Sequence, residues 1–271
     1  MITSRLRPLL LASLLGAALI ASPVAAQEST PSARELSSQL AAGIQDGAST
    51  VRLKIEFRAA ATAPKSVLQL AVKSLRTEAT TKLTYQVLWP KERKGEGFTL
   101  NRSDDSPVTG AVFTPPDSLR PLPPPPAGWQ EPVFGSDLSY EDLLDNFFAW
   151  EHQSITGTET IDRLPCLILE SKPGKNQRSS YSAVRSWIDP KKLVPMRIEK
   201  LLASGQVARR IVTTRVAKDD TGRPVASSFS VSRPGHDSLT ELEGSSSRHE
   251  VTLSEADFTP EALRSPTAKT R

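Results

Sequence analysis

The chain has 271 residues, 34 Lys+Arg against 30 Asp+Glu, and a formal net charge of +4. Both signs are interspersed and no polybasic block occurs, which excludes an electrostatic footprint for nucleic acid. Twenty-two prolines, 6% aromatic residues and a single cysteine fit a β-rich, loop-rich chain without an internal disulfide.

Residues 1–26 read as a secretory signal. Arg5 and Arg7 give a positive start, Leu9 to Ile20 is an apolar run, and Ser22 to Ala26 supplies small residues for cleavage. The run is shorter than the roughly 20 residues that span a bilayer. Cleavage is expected after Ala26, which marks the chain for export, and no cysteine follows that point to carry a lipid.

Residues 31–47 predict a helix between Pro31 and Gly47, with Leu36, Leu40 and Ile44 as one narrow apolar stripe. The period then changes to two. Val51, Leu53, Ile55 and Phe57 alternate with Arg52, Lys54 and Glu56, so one strand face is apolar and the other charged and solvated. Leu68, Leu70 and Val72 alternate likewise, as do Leu83, Tyr85, Val87 and Trp89, and after a charged turn Phe98 and Leu100 resume the pattern. Residues 115–132 hold eight prolines, so they cannot form a central strand and are expected to be an extended connector of polyproline character.

A short helix is predicted over 140–149. Tyr140, Leu143, Leu144, Phe147 and Phe148 form one heavy apolar face. Ser139 is placed to cap it, Glu141 and Asp142 suit the first turn, and Leu138 with Leu143 fits a hydrophobic staple. Asp137 and Glu141 are thus explained by capping and dipole effects. Strand signals then recur near 152–161, 164–171, 180–188, 193–202, 206–217, 224–233, 237–243 and 247–253, broken by Gly, Pro and Asp turns. Short strands at such spacing indicate an antiparallel sheet or barrel. Phe258 and Leu263 flank a short closing helical turn, and residues 265–271 are expected to fray. Residues 27–264 are expected to form one domain.

Cys166 lies in the apolar run Leu164 to Leu169 and reads as a small buried hydrophobe. His152, His236 and His249 are scattered, so no clustered metal set and no catalytic thiol–imidazole pair is visible. No nucleophile elbow or phosphate loop occurs. The chain is therefore expected to be neither an enzyme nor a holder of a metal or cofactor.

Several ordered stretches carry a family resemblance. They are Tyr85-Gln86-Val87-Leu88-Trp89-Pro90-Lys91, Gly135-Ser136-Asp137-Leu138-Ser139-Tyr140-Glu141-Asp142-Leu143, Leu164-Pro165-Cys166-Leu167-Ile168-Leu169 and Arg185-Ser186-Trp187-Ile188-Asp189. In this order the chain resembles the LolA-like outer-membrane lipoprotein-sorting proteins of Gram-negative bacteria, in a broad branch whose cargo is not established. The resemblance implies a mainly β fold of the LolA/LolB kind: a strongly curved antiparallel sheet, an unclosed barrel, with helices covering its concave face. It implies a periplasmic monomer that carries lipoprotein or lipid acyl chains and meets an inner-membrane transporter and an outer-membrane acceptor. The candidate cavity-lining or lid residues are Val51, Leu53, Ile55, Phe57, Leu83, Tyr85, Val87, Trp89, Phe98, Leu143, Leu144, Phe147 and Phe148. Permanent core is the alternative for the four on the 140–149 helix. Trp89, Trp129, Trp150 and Trp187 are read either as cavity edge or as ordinary packing. The alternative function is a non-carrying interaction protein, accessory to an envelope transporter.

Overall fold

The computed structural model describes residues 31–264. The expected signal segment and the tail from residue 265 lie outside the described residues. Helix α1 (Ala33–Ile44) starts at Ser32, whose hydroxyl accepts from the Glu35 N–H while the Glu35 carboxylate accepts from Ser32, a reciprocal capping box. Strands follow as β1 (Gly47–Arg58), β2 (Ser66–Arg76), β3 (Thr80–Trp89), β4 (Gly97–Ser103), β5 (Ser106–Thr114) and β6 (Ser118–Pro121). After helix α2 (Tyr140–Leu144) come β7 (His152–Ile161), β8 (Leu164–Lys172), β9 (Ala183–Asp189), β10 (Val194–Leu201), β11 (Val207–Lys218), β12 (Pro224–Ser232) and β13 (Leu239–His249).

All thirteen form one antiparallel sheet in the order β6-β5-β4-β3-β2-β1-β13-β12-β11-β10-β9-β8-β7. Each half is a meander of neighbours in sequence, and the β1–β13 pairing joins them. The sheet ends at β6 and β7, which do not pair, so the barrel is unclosed.

The register lines up one apolar face. Val51, Val72, Tyr85, Phe98 and Val112 are direct cross-strand partners in succession. A second row runs Phe57, Thr240, Val231, Ile211, Ile198, Ser186, Leu169 and Ile155. Side chains alternate along a strand, so these partners face the same way and the inner face is continuous across the joint. The outer face of β2–β4 is covered by two 3-10 turns, Glu255–Phe258 and Pro260–Arg264, which bury Phe258 and Leu263. Lys73 Nζ pairs with Asp257 at 2.6 Å, and Thr84, Gln86 and Asn101 donate to the carbonyls of Asp257, Leu263 and Phe258.

Four local expectations are corrected. Strand β5 went unread because Ser106, Thr109 and Gly110 dilute its alternation. The proline-rich connector contains β6, which pairs with β5 only; its prolines are tolerated because the other edge is unpaired. The stretch 237–253 is one strand to His249, not two strands around a turn. At Gly244 it bulges instead: the register slips by one residue opposite Arg52 and Leu53, and the skipped Ser245 donates to the Arg52 carbonyl. The helix expected over 140–149 stops at Leu144. Asp145 turns extended at ψ 136, and a separate 3-10 turn covers Phe147–Ala149.

Candidate functional site

The chain must travel from edge strand β6 to the opposite edge strand β7, and the crossover 122–151 does this over the inner face. On the β1–β6 side Trp129, Val133, Leu138, Tyr140 and Leu144 pack on Ile55, Leu68, Leu83, Phe98 and Leu100. Phe98 stacks on Tyr85 at 4.8 Å and takes Tyr140 edge-on at 5.2 Å. On the other side Phe147, Phe148 and Trp150 pack with Leu36 and Leu40 of α1 against Leu167, Leu169 and Val184.

The polar residues of the Gly135–Leu143 stretch fasten this crossover. The Ser139 hydroxyl accepts from the Asp142 N–H, and the Asp142 carboxylate accepts from Ser139, which satisfies both donors at the start of α2. Asp137 accepts from Arg233 at 2.9 Å, Ser238 at 2.6 Å and Thr240 at 2.9 Å, all at the β12–β13 end of the sheet. Glu141 accepts from Gln130, Ser179 and the Ser180 N–H. The expectation that Asp137 serves the cap is thereby corrected: it is a tertiary anchor, because the sheet brings distant donors beneath it, while Glu141 lies in the first turn as expected and is a tertiary anchor as well.

Asp142 does double duty. Its Oδ1 lies 2.9 Å from Lys200 Nζ and accepts from the Tyr181 hydroxyl at 2.7 Å, while Arg209 Nε approaches Oδ2 at 3.5 Å. The Asp142 and Lys200 side chains are 0% and 1% exposed. Burial alone would push the Asp142 carboxyl up, but Lys200, Arg209 and Tyr181 together hold it below the ordinary range. Burial and the neighbouring Asp142 charge raise the Tyr181 phenol. The Lys200 ammonium also sits over the Tyr181 and Phe147 rings at 4.9 and 5.7 Å. On the other half, the half-buried Arg76 donates to the Leu143 carbonyl at 3.1 Å.

Beside this seam lies a cleft of about 1280 Å³. Its walls are α1, the β4–β5 turn, the proline-rich part of the crossover, the Asp145–Trp150 segment and the loop around Gln177. Apolar patches come from Ala41, Val108, Leu122, Phe148 and Trp150; polar ones come from Arg34, Glu78, Arg102, Asp104, Asp145, Asn146, Glu151 and Arg178. The Asp145 carboxyl is pushed up to about 6, chiefly by burial, against the pull of Lys200 and Arg102. Asp145 Oδ2, Asn146 Oδ1 and Arg102 Nε are enclosed and have no hydrogen-bond partner among the described residues.

Of the thirteen residues named from the sequence, Phe148 lines this cleft. Ile55, Phe57, Leu83, Val87, Phe98 and Leu144 are buried in the cluster under the crossover, with Val51, Leu53, Tyr85 and Leu143 packed on it half-buried. Phe147 is buried in the second cluster, and Trp89 is 51% exposed, apart from both. Of the other tryptophans, Trp150 edges the cleft, while Trp129 and Trp187 are buried and donate to Pro123 O and Glu159. Sequence reasoning missed Arg102, Asp145 and Asn146. The one signal available was the Asp145-Asn146 pair, a poor helix former inside a helical pattern.

A second polar cluster gathers His249, Asp219 and Asp220 within ligand distance of one another, against the expectation that the histidines stand apart from other ligating groups. His249 Nε2 also lies 3.1 Å from Asp46, and Arg223 pairs with Asp46 and Asp219. Burial lowers the His249 imidazole, but Asp220 and Asp46 outweigh it and the net shift is upward. Arg223 supplies positive charge here and His249 hydrogen-bonds both Asp46 and Asp220, so the group reads as a polar cluster fastening the β11–β12 turn to the ends of α1 and β13.

Comparison with known proteins places the architecture. A family model described as an uncharacterized protein matches residues 79–265. No curated protein sequence matches. A DUF1329 family protein from Desulfovibrio piger superposes with a TM-score of 0.76 at 20% identity, over 85% of this chain and 97% of that one. An outer membrane lipoprotein-sorting protein domain from Vibrio parahaemolyticus gives 0.75 at 18% identity, over 86% and 98%. A LolA superfamily protein from Nitrosomonas europaea gives 0.68 at 16% identity, over 86% and 100%.

Proposed function

Since the chain belongs to a LolA-like family, we propose that it is a periplasmic carrier or binder of acyl-bearing ligands, lipoprotein or lipid, and not an enzyme. One observation carries this reading. The apolar inner face of the unclosed sheet is covered by a single crossover and α1 instead of a second sheet, and this cover leaves a cleft of about 1280 Å³. That exceeds the roughly 300–1,000 Å³ of ordinary small-molecule pockets. Each methylene buried contributes about 0.8 kcal/mol, so a chain lying along Leu122, Phe148 and Trp150 gains enough to be retained yet released. Among the described residues no helix is long and apolar enough to cross a membrane.

The cargo path differs from the one the sequence suggested. A lid formed by 140–149 would have to break the Asp142–Lys200 pair and the Glu141 anchors to move. The ligand is therefore placed beside the crossover, in the cleft, and not beneath it. The same tight seat of α2 supports the second reading, a non-carrying interaction protein accessory to an envelope transporter.

Organic extracts of native protein, examined by mass spectrometry, and titration with fluorescent fatty-acid probes test the proposal. Co-purifying acyl material and saturable probe binding, quenched by substitutions at Phe148, are expected. Clean extracts and no probe binding, together with a transporter adduct on crosslinking in whole cells, would establish the second reading instead.

A further inference from the structure

Part of the cleft lining is not suited to a bare hydrocarbon. Arg102 closes the apolar row of β4, two residues beyond Leu100 on the same face, and reaches the cleft from one half of the sheet. Asp145 and Asn146 reach it from the break between α2 and the Phe147–Ala149 turn. Asn146 is 4% exposed, yet its Oδ1 has no donor. Among the described residues Asp145 Oδ2 has none either, and Arg102 Nε has no acceptor, while its Nη2 donates to Thr81 at 3.4 Å. Leaving such groups unmatched costs about 1–3 kcal/mol each. Two oxygen acceptors, one of them carboxylate, and one cationic donor thus stand unmatched just behind the cleft surface that their residues line. Arg34, Arg178, Glu78 and Glu151 also line the cleft.

We propose that Arg102, Asp145 and Asn146 form a head-group subsite for an amphiphile whose head carries an ammonium next to an anionic oxygen, a zwitterionic phospholipid by class. The ammonium donates to Asp145 Oδ2 and Asn146 Oδ1, and the phosphate oxygen accepts from Arg102 Nε. The acyl chains leave along Leu122, Phe148 and Trp150. This rests on the carrier reading and narrows it: a fatty acid would set its carboxylate against that of Asp145, and a phosphatidylglycerol head would offer both oxygens only neutral hydroxyl donors.

The test is titration of the purified full chain with short-chain phosphatidylethanolamine below its micelle concentration. Phosphatidylglycerol of the same chains, the matching free fatty acid and phosphoethanolamine without chains serve as comparisons. The ethanolamine lipid is expected to bind about tenfold more tightly than the glycerol lipid, the discrimination that one charge-assisted hydrogen bond provides. Asp145→Asn and Asn146→Ala should each weaken the ethanolamine lipid alone and bring the two lipids within about threefold. Arg102→Gln should weaken both phospholipids equally. If Asp145→Asn fails to fold by circular dichroism, Asn146→Ala and Arg102→Gln carry the test. Equal binding of all the chain-bearing probes overturns the subsite and leaves the carrier reading standing. Binding of phosphoethanolamine as tight as that of the lipid overturns the amphiphile in favour of a polar metabolite. Binding of no chain-bearing probe overturns both proposals.

Discussion

Lys200→Met should reveal what seats the crossover. The Lys200 ammonium is 2.9 Å from Asp142 Oδ1, and both side chains are sealed from water. At an effective dielectric near 20, unit charges at that distance attract by about 6 kcal/mol, most of which offsets the desolvation of the two ions. Removing one partner leaves the other buried and uncompensated, which typically costs about 3–5 kcal/mol. Here the lower end applies, because Asp142 keeps Tyr181, Ser139 and Arg209, and because the ammonium is off-line for a good hydrogen bond to its partner. A loss of about 3 kcal/mol should lower Tm by about 6–12 °C in a domain of this size. Asp142→Asn should cost a similar amount. The double variant Asp142→Asn/Lys200→Met should be at least about 2 kcal/mol more stable than the sum of the singles predicts, since neither charge is then stranded. Urea unfolding at pH 7 at two ionic strengths measures this, and the coupling should resist salt because the pair is buried. Additive single effects, or a coupling that vanishes in salt, would refute the claim that a desolvated ion pair holds α2 to β10.

Further outcomes follow from the same geometry. Asp145 has an ordinary value of 3.8 and a folded value of about 6; its contribution to stability is full below the lower value and is lost as pH rises through the upper one. Asp145→Asn should therefore stabilise by up to about 3 kcal/mol at pH 8 and change little at pH 4, as read by parallel urea titrations. Gly97→Ala would set a Cβ 2.4 Å from the Tyr85 carbonyl, forcing β3 and β4 apart, and should cost about 1–3 kcal/mol or more by thermal unfolding. Phe148→Ala removes a buried ring from the cleft wall; about 3–5 kcal/mol of stability should go, with altered capacity for a fluorescent acyl probe. The buried Cys166 thiol, which burial pushes above its ordinary value, should react with a thiol reagent only on unfolding, and rapid labelling of native protein at pH 8 would contradict its place in the core.

Much of the architecture was legible because it is local. Strict alternation from Val51 to Phe57 fixes which side of β1 is apolar, since adjacent side chains must point oppositely. The Ser139 cap shows because its partners are three residues away. The break at Asp145 was hidden by the regular spacing of Phe147 and Phe148, which fits a continuing helix as well as a separate turn packed on α1. Strand β5, with Thr109 and Gly110 in place of large apolar residues, has too little alternation to be seen before its partner β4 is known.

The sequence by itself determined most of the elements, their apolar faces and the resemblance to the lipoprotein-sorting family, because period, caps and turns are short-range properties of the chain. Only the tertiary structure decided that Asp142 meets Lys200, that Arg102 lines one cleft with Asp145 and Asn146, and that the open space lies beside the crossover and not under it. Those encounters join residues 43 to 58 positions apart. They exist because a sheet with two unpaired edges obliges one segment to cross its face, and nothing in local periodicity records which side chains that segment lands on.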